Sequence, residues 1–109
     1  MGMVIRQYDV YFVNLDPTVG HEVKKTRPCL IISPDELNES VRTVIIAPMT
    51  TKSHAYPTRV SLQFKGKSAY ICLDQIRTID RLRLQKKIGS IPAAAVVRVK
   101  TILREMLVD

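Results

Sequence analysis

The sequence predicts an α+β domain dominated by β structure: a compact, strongly curved antiparallel sheet or small barrel with one C-terminal helix packed across it. Three observations predict it. Short β-branched and aromatic runs recur at close intervals with turn signals between them. One run alternates strictly between apolar and polar residues. Only one segment, near the C-terminal end, carries a helical period.

The elements follow in order. "YDVYFVNLDP" (8–17) has strand composition and closes on an Asp-Pro turn signal, and "TVGHEVKKT" (18–26) is a polar loop with Gly20 as its flexible point. "CLIIS" (29–33) reads as a strand covered on both faces, and "PDELNES" (34–40) as a turn or short helical excursion. "RTVIIAPM" (42–49) is a second buried strand, expected to stop at Pro48. The loop "TTKSHAYP" (50–57) is longer than a tight hairpin needs.

In "TRVSLQFKG" (58–66) alternation puts Val60, Leu62 and Phe64 on one face, and Gly66 opens a turn into the strand "SAYICL" (68–73). "DQIRTIDRLRLQKKIGSI" (74–91) reads as strand, turn and short strand studded with cations. Pro92 then precedes the helix. On a helical wheel Ala95, Val96, Val99, Ile102, Leu103, Met106 and Leu107 fall within roughly 140°, opposite Arg98, Lys100, Arg104 and Glu105, so one face should lie on the sheet.

A chain of 109 residues is expected to form one domain, 1–109, small enough that a partner subunit would help stabilise it. The formal charge is +7 and unevenly spread: residues 1–50 hold five Lys/Arg and six Asp/Glu, residues 51–109 twelve and four. This excess favours phosphate-rich partners through counterion release and steering. Cys29 and Cys72 sit in apolar runs without a CxxC or neighbouring His, which suits buried, inert thiols in reducing cytoplasm. No apolar stretch approaches the roughly 18 residues of a membrane span, and Asp9 interrupts the pattern of a signal peptide, so no membrane partner is expected.

Chemistry concentrates where two polar loops abut buried strands. If those strands are antiparallel neighbours, Arg27 and Thr50 face one pocket. Pro28 disfavours the α region for Arg27 and holds it extended; its guanidinium is a planar fork that fits a phosphate, and the hydroxyls of Thr50 and Thr51 can donate to phosphate oxygens. Composition alone also allows a plain reading, in which Arg-Pro salt-bridges to a loop carboxylate and Thr-Thr is a turn. His21 and Glu22 could shuttle a proton or be solvated bystanders, with Lys24 adding charge on the same loop. Asp74 and Gln75 could hydrogen-bond base edges and Arg77 a phosphate, or all three could line a solvated edge strand. Arg81, Arg83, Lys86 and Lys87 are expected to supply field. Two His without clustered carboxylates disfavour a metal site or a nucleophilic triad.

Taken together, "GHE" after "DP", then "TRPCLIIS", "APMTT", "LDQIRTIDRLR" with "KKIGSI", and the terminal helix resemble the MazF/PemK (Kid) family of toxin endoribonucleases along almost the whole chain. The resemblance implies an SH3-like barrel subunit with a C-terminal helix, a fold shared with CcdB. It also implies a homodimer with an RNA groove, an acidic antitoxin that occludes the groove, no cofactor, and ribosome-independent cleavage of single-stranded mRNA at short motifs. It makes Arg27 and Thr50 catalytic and places His21, Glu22, Lys24, Thr51, Asp74, Gln75 and Arg77 at or beside RNA. One departure is Cys72, where some members carry a functional arginine, so proton transfer and phosphate stabilisation fall chiefly to Arg27. Two alternatives stand beside this reading. A CcdB-like gyrase poison would carry a C-terminal Trp-Gly-Ile, whereas this chain ends "MLVD" and has no Trp; a non-cleaving nucleic-acid-binding module would have only four Tyr and two Phe for stacking.

Overall fold

Valine, isoleucine and leucine at alternating positions give this sheet two apolar faces, and both are covered. The computed structural model describes residues 4–15 and 26–108. Its elements are β1 (Asp9–Asn14), β2 (Thr26–Ile31), α1 (Asp35–Ser40), β3 (Thr43–Thr50), β4 (Arg59–Phe64), β5 (Lys67–Cys72), β6 (Arg77–Asp80), β7 (Leu84–Ser90) and α2 (Ala93–Leu107), with 3-10 turns at Leu73–Gln75 and Arg81–Arg83. The seven strands form one sheet in the order β4-β5-β3-β2-β1-β7, and β6 pairs with β3; every pairing is antiparallel.

Period two decides which face each residue serves. Val10, Leu30, Ala47, Val60 and Ile71 point into one core, closed by Ala95 and Val99 of α2. Their neighbours Tyr11, Cys29, Ile31, Val44 and Ile46 point into a second core with Ile5, Ile79 and Leu84. The continuous apolar runs of β2 and β3 reflect burial on both sides. Each fully buried aliphatic side chain contributes about 1.5–3 kcal/mol relative to exposure.

The sheet curls. Register shifts flank Tyr11 in the β1–β7 ladder, and bulges of this kind bend a strand and raise its twist. Lys65 and Gly66 both take positive φ (53° and 79°) in the two-residue β4–β5 turn, the geometry that matches a twisted hairpin. The curl carries Phe64 of β4 onto Gly89 of β7, bringing together strands at opposite ends of the sheet order. A Cβ at Gly89 would lie 3.3 Å from the Phe64 ring, and its φ of 150° also suits glycine. The result is an antiparallel half-barrel with a helix across it, the architecture the sequence predicts.

Several boundaries differ from expectation. β2 begins at Thr26, taking Arg27 and Pro28 into the strand; the β2–β3 ladder starts only at Cys29, so Pro28 faces β3 where no amide is required. β3 runs through Pro48 to Thr50, because this proline falls between the β6 ladder at 43–46 and the β5 ladder at 49–50. The second strand of 74–91 is the longer one. On α2, Ala95 and Val99 are buried and Val96, Ile102, Leu103 and Met106 half-buried, but Leu107 is 65% exposed, since the helix outlasts the sheet it covers.

Candidate active site

β2 and β3 present their ends to the same place. Cys29 pairs with Pro48, and carrying that register two residues further sets Arg27 opposite Thr50. Both side chains line two adjoining clefts and form the ridge between them. The first cleft, about 410 Å³, collects four cations, Arg27, Lys52, Arg59 and Arg77, together with Thr50 and Gln75. The second, about 590 Å³, has an apolar floor that includes Phe12, Met49, Phe64 and Ile88, with Thr51, Lys65 and Lys67 at its rim. No carboxylate lines either cleft among the described residues.

The arginines of the cationic cleft differ in state. Among the described residues the Arg27 and Arg77 guanidinium groups have no hydrogen-bond or ion-pair partner. Arg59 is saturated by comparison: Nε donates to Asp74 Oδ1 and Nη2 to Asp74 Oδ2, both at 3.1 Å, while Nη1 donates to Ser53 Oγ at 2.6 Å. Its guanidinium carbon lies 4.9 Å from the centre of the Tyr56 ring. Bonding by Arg59 holds the Asp74 carboxyl below its ordinary range, and Asp74 in return raises Arg59.

Thr50 Oγ1 accepts from the Lys52 amide at 3.2 Å and donates to the Lys52 carbonyl at 3.1 Å. That turn fixes the position of the oxygen. A phosphate in the cleft would draw the hydroxyl proton away from the carbonyl by rotation about the C–O bond.

The structure thus gathers Arg27, Thr50, Gln75 and Arg77 at one cleft. Thr51 faces the neighbouring cleft, and Asp74 stands behind Arg59. His21, Glu22 and Lys24 lie outside the described residues. Three of the four cations expected to supply field also have local partners. Arg81 donates to the carbonyls of Asn38 and Val41 at the end of α1, Arg83 to those of Asn14 and Leu15, and Lys87 pairs with the buried Asp9 at 3.2 Å.

Both thiols are buried. Burial pushes the Cys29 thiol up to about 12 despite Arg27 and Arg77, and raises Cys72 despite Arg59, so neither is a nucleophile near neutral pH. Among the described residues no group of three His, Cys, Asp or Glu side chains could hold a metal ion.

Sequence reading passed over Lys52 and Arg59. A signal for Arg59 existed: counting back from the Lys65-Gly66 turn pairs Phe64 with Lys67 and so Arg59 with Cys72, which puts Arg59 beside Asp74.

The family model of the PemK-like, MazF-like toxins of type II toxin–antitoxin systems matches residues 6–107. The chain belongs to that family. Among its relatives, endoribonuclease EndoA of Bacillus subtilis is 39% identical over 92 residues, covering 79% of both chains. Endoribonuclease MazF of Staphylococcus epidermidis is 35% identical over 106 residues, 92% of this chain and 88% of that one. In structure the family likeness is as broad. MazF from Deinococcus radiodurans superposes with a TM-score of 0.81 at 28% identity, covering 97% of this chain and 98% of the other. A MazE–MazF complex from the same organism gives 0.84 at 28% identity, with 97% of each chain covered.

Proposed function

We propose that this protein cuts single-stranded mRNA at short sequence motifs, independently of the ribosome, by turning the RNA's own 2′-hydroxyl against the adjacent phosphate across the Arg27–Thr50 ridge. The chain is a MazF-like endoribonuclease toxin of a toxin–antitoxin pair. The proposal concerns how its residues do the work. The observation that carries it is the meeting on one ridge of a fixed hydroxyl and a guanidinium that, among the described residues, has no partner, flanked by cations and by no described carboxylate.

In the proposed step the 2′-oxygen attacks phosphorus as the bond to the 5′-oxygen breaks. The 2′-proton passes to water while Arg27 passes a guanidinium proton to the leaving 5′-oxygen and regains one from water, so the products are a 2′,3′-cyclic phosphate and a 5′-hydroxyl. In-line alignment does much of the work, since attacking and leaving groups belong to one molecule. Arg27 donates to a non-bridging oxygen and to the leaving 5′-oxygen, and Thr50 donates to the phosphorane; a single such donor is worth ~2.7–4 kcal/mol in a transition state. Lys52 and Arg77 hold flanking phosphates, Gln75 and Thr51 meet the nucleotides on either side, and Asp74 stands beside them through its bonds to Arg59. His21, Glu22 and Lys24 are assigned to the same RNA path.

The cationic cleft also suits an acidic antitoxin segment competing with RNA for the same charges. Solved complexes of similar chains with MazE support a cognate partner. We further assign the working form to a homodimer in the cytoplasm; among the described residues no helix is long and apolar enough to cross a membrane.

The test is a digestion of a long single-stranded RNA with and without EDTA, with the ends mapped. Unchanged cutting in chelator, leaving cyclic phosphate ends, is expected. Cutting abolished by chelator and restored by a divalent ion would defeat the mechanism.

A further inference from the structure

We infer that Arg59 and Asp74 act as a positioning pair that sets the width of the cationic cleft and so selects which nucleotides beside the cut are accepted, an inference that rests on the cleft being the RNA-cutting site.

The cleft has two walls from separate parts of the chain. One is the segment after Thr50, carrying Lys52; the other is the 3-10 turn Leu73–Gln75 with Arg77 beyond it. Arg59, the first residue of β4, ties them together. Its fork grips both oxygens of Asp74 on the turn, its third nitrogen grips Ser53 next to Lys52, and its flat face covers Tyr56 in the same segment. Thr58 adds a bond to Asp74 Oδ1 at 3.1 Å, and the Leu73 amide donates to the Thr58 carbonyl at 3.1 Å. One planar group thus fastens Ser53, Tyr56 and the 73–75 turn at fixed separations.

Although Arg59 lines the cleft, its side chain is only 13% exposed, with a donor from each of its three nitrogens committed to protein. Asp74 Oδ1 takes two hydrogen bonds and Oδ2 one, so this carboxylate acts mainly through Arg59. A lysine would offer a point charge without the fork and could not hold both oxygens and Ser53 in a plane. A site that recognises bases by hydrogen bonds discriminates through the placement of its walls, and loosening this tie lets wrong bases fit.

The experiment digests randomised single-stranded RNA, sequences the ends, and measures kcat and KM on one preferred oligonucleotide. It compares wild type, Arg59→Ala, Arg59→Lys, Asp74→Asn and the double variant Arg59→Ala/Asp74→Asn, each checked for folding by thermal melting. Both single alanine and asparagine variants should broaden the cleavage motif in the same way. They should lower kcat/KM on the preferred RNA by about 10- to 100-fold, mostly through KM. The double variant should be no worse than the singles within about twofold, because one tie is broken either way, and Arg59→Lys should resemble Arg59→Ala. An unchanged motif in the single variants would overturn the inference, as would losses that multiply in the double variant, since each residue would then be a separate RNA contact. If Arg59→Ala fails to fold, the near-isosteric Asp74→Asn carries the test alone: a broadened motif is expected, and an unchanged one overturns the inference. A wild type that leaves all RNA intact would overturn the endoribonuclease reading itself, and this inference with it.

Discussion

Arg27 and Arg59 line the same cleft and carry the same charge, yet one has no protein partner among the described residues and the other is held at every nitrogen. The difference comes from neighbours. Arg59 opens β4 opposite Cys72, two residues from Asp74, and finds a carboxylate within reach. Arg27 lies in β2 between Val13 on β1 and the Thr50 end of β3, with no acid on either side among the described residues. A half-buried guanidinium without a counter-charge loses hydration and gains nothing in return, so the site gains most when an anion arrives. A partnered guanidinium is already satisfied and works as a fastener. Charge lining a cleft is therefore a poor guide to chemistry until each group's partners are counted.

The largest effect expected from this contrast is at Arg27. Arg27→Ala should fold with unchanged or slightly raised melting temperature, because it removes an unpaired charge, and should cut single-stranded RNA at least ~100-fold more slowly. Initial rates on a fluorescent oligonucleotide measure it. A rate near wild type would erase the distinction between the two arginines.

Arg77 has the same unpartnered state as Arg27 but stands on the wall of the cleft rather than on the ridge. Arg77→Gln should weaken RNA binding evenly across sequences, leave kcat nearly unchanged, and reduce the slope of log K against log salt by about 1. A loss confined to one sequence would make Arg77 a reader of bases.

Much of this site was legible in the sequence. Strand adjacency together with the two loop boundaries brings Arg27 to Thr50, and the strict alternation of Val60, Leu62 and Phe64 survives intact in β4. What escaped depended on long-range partners. Pro48 reads locally as a stop, but a strand that exchanges β6 for β5 can pass through a residue with no amide. Arg81 and Arg83 read as free field until the carbonyls they cap are in view. For Asp74 the sequence around it offers a base-edge contact or a solvated edge and gives no sign of its bond to Arg59, 15 residues away. Helical period alone placed Leu107 on the packed face, whereas the extent of the sheet beneath it is a tertiary property.

The smallest predicted effect tests the fastener itself, through pH. Arg59 bonds lower the Asp74 carboxyl below its ordinary value of 3.8, so the folded state holds the ionised form more strongly than the unfolded chain does. The pair's contribution is therefore fully present above about pH 4 and disappears as pH falls from there through the depressed folded value, because the unfolded chain takes up the proton first. Asp74 is exposed, and solvent screening keeps the contribution modest. The measurement is the urea midpoint of wild type and Asp74→Asn at steps from pH 6 to the acid limit of folding. Other carboxylates titrate in both proteins and cancel in the difference. Wild type should lead above pH 4 and the gap should close below it, with added salt narrowing the gap at neutral pH. A gap independent of pH would mean that the fork around Asp74 owes its strength to shape and packing, and that charge plays no part in tying the two walls together.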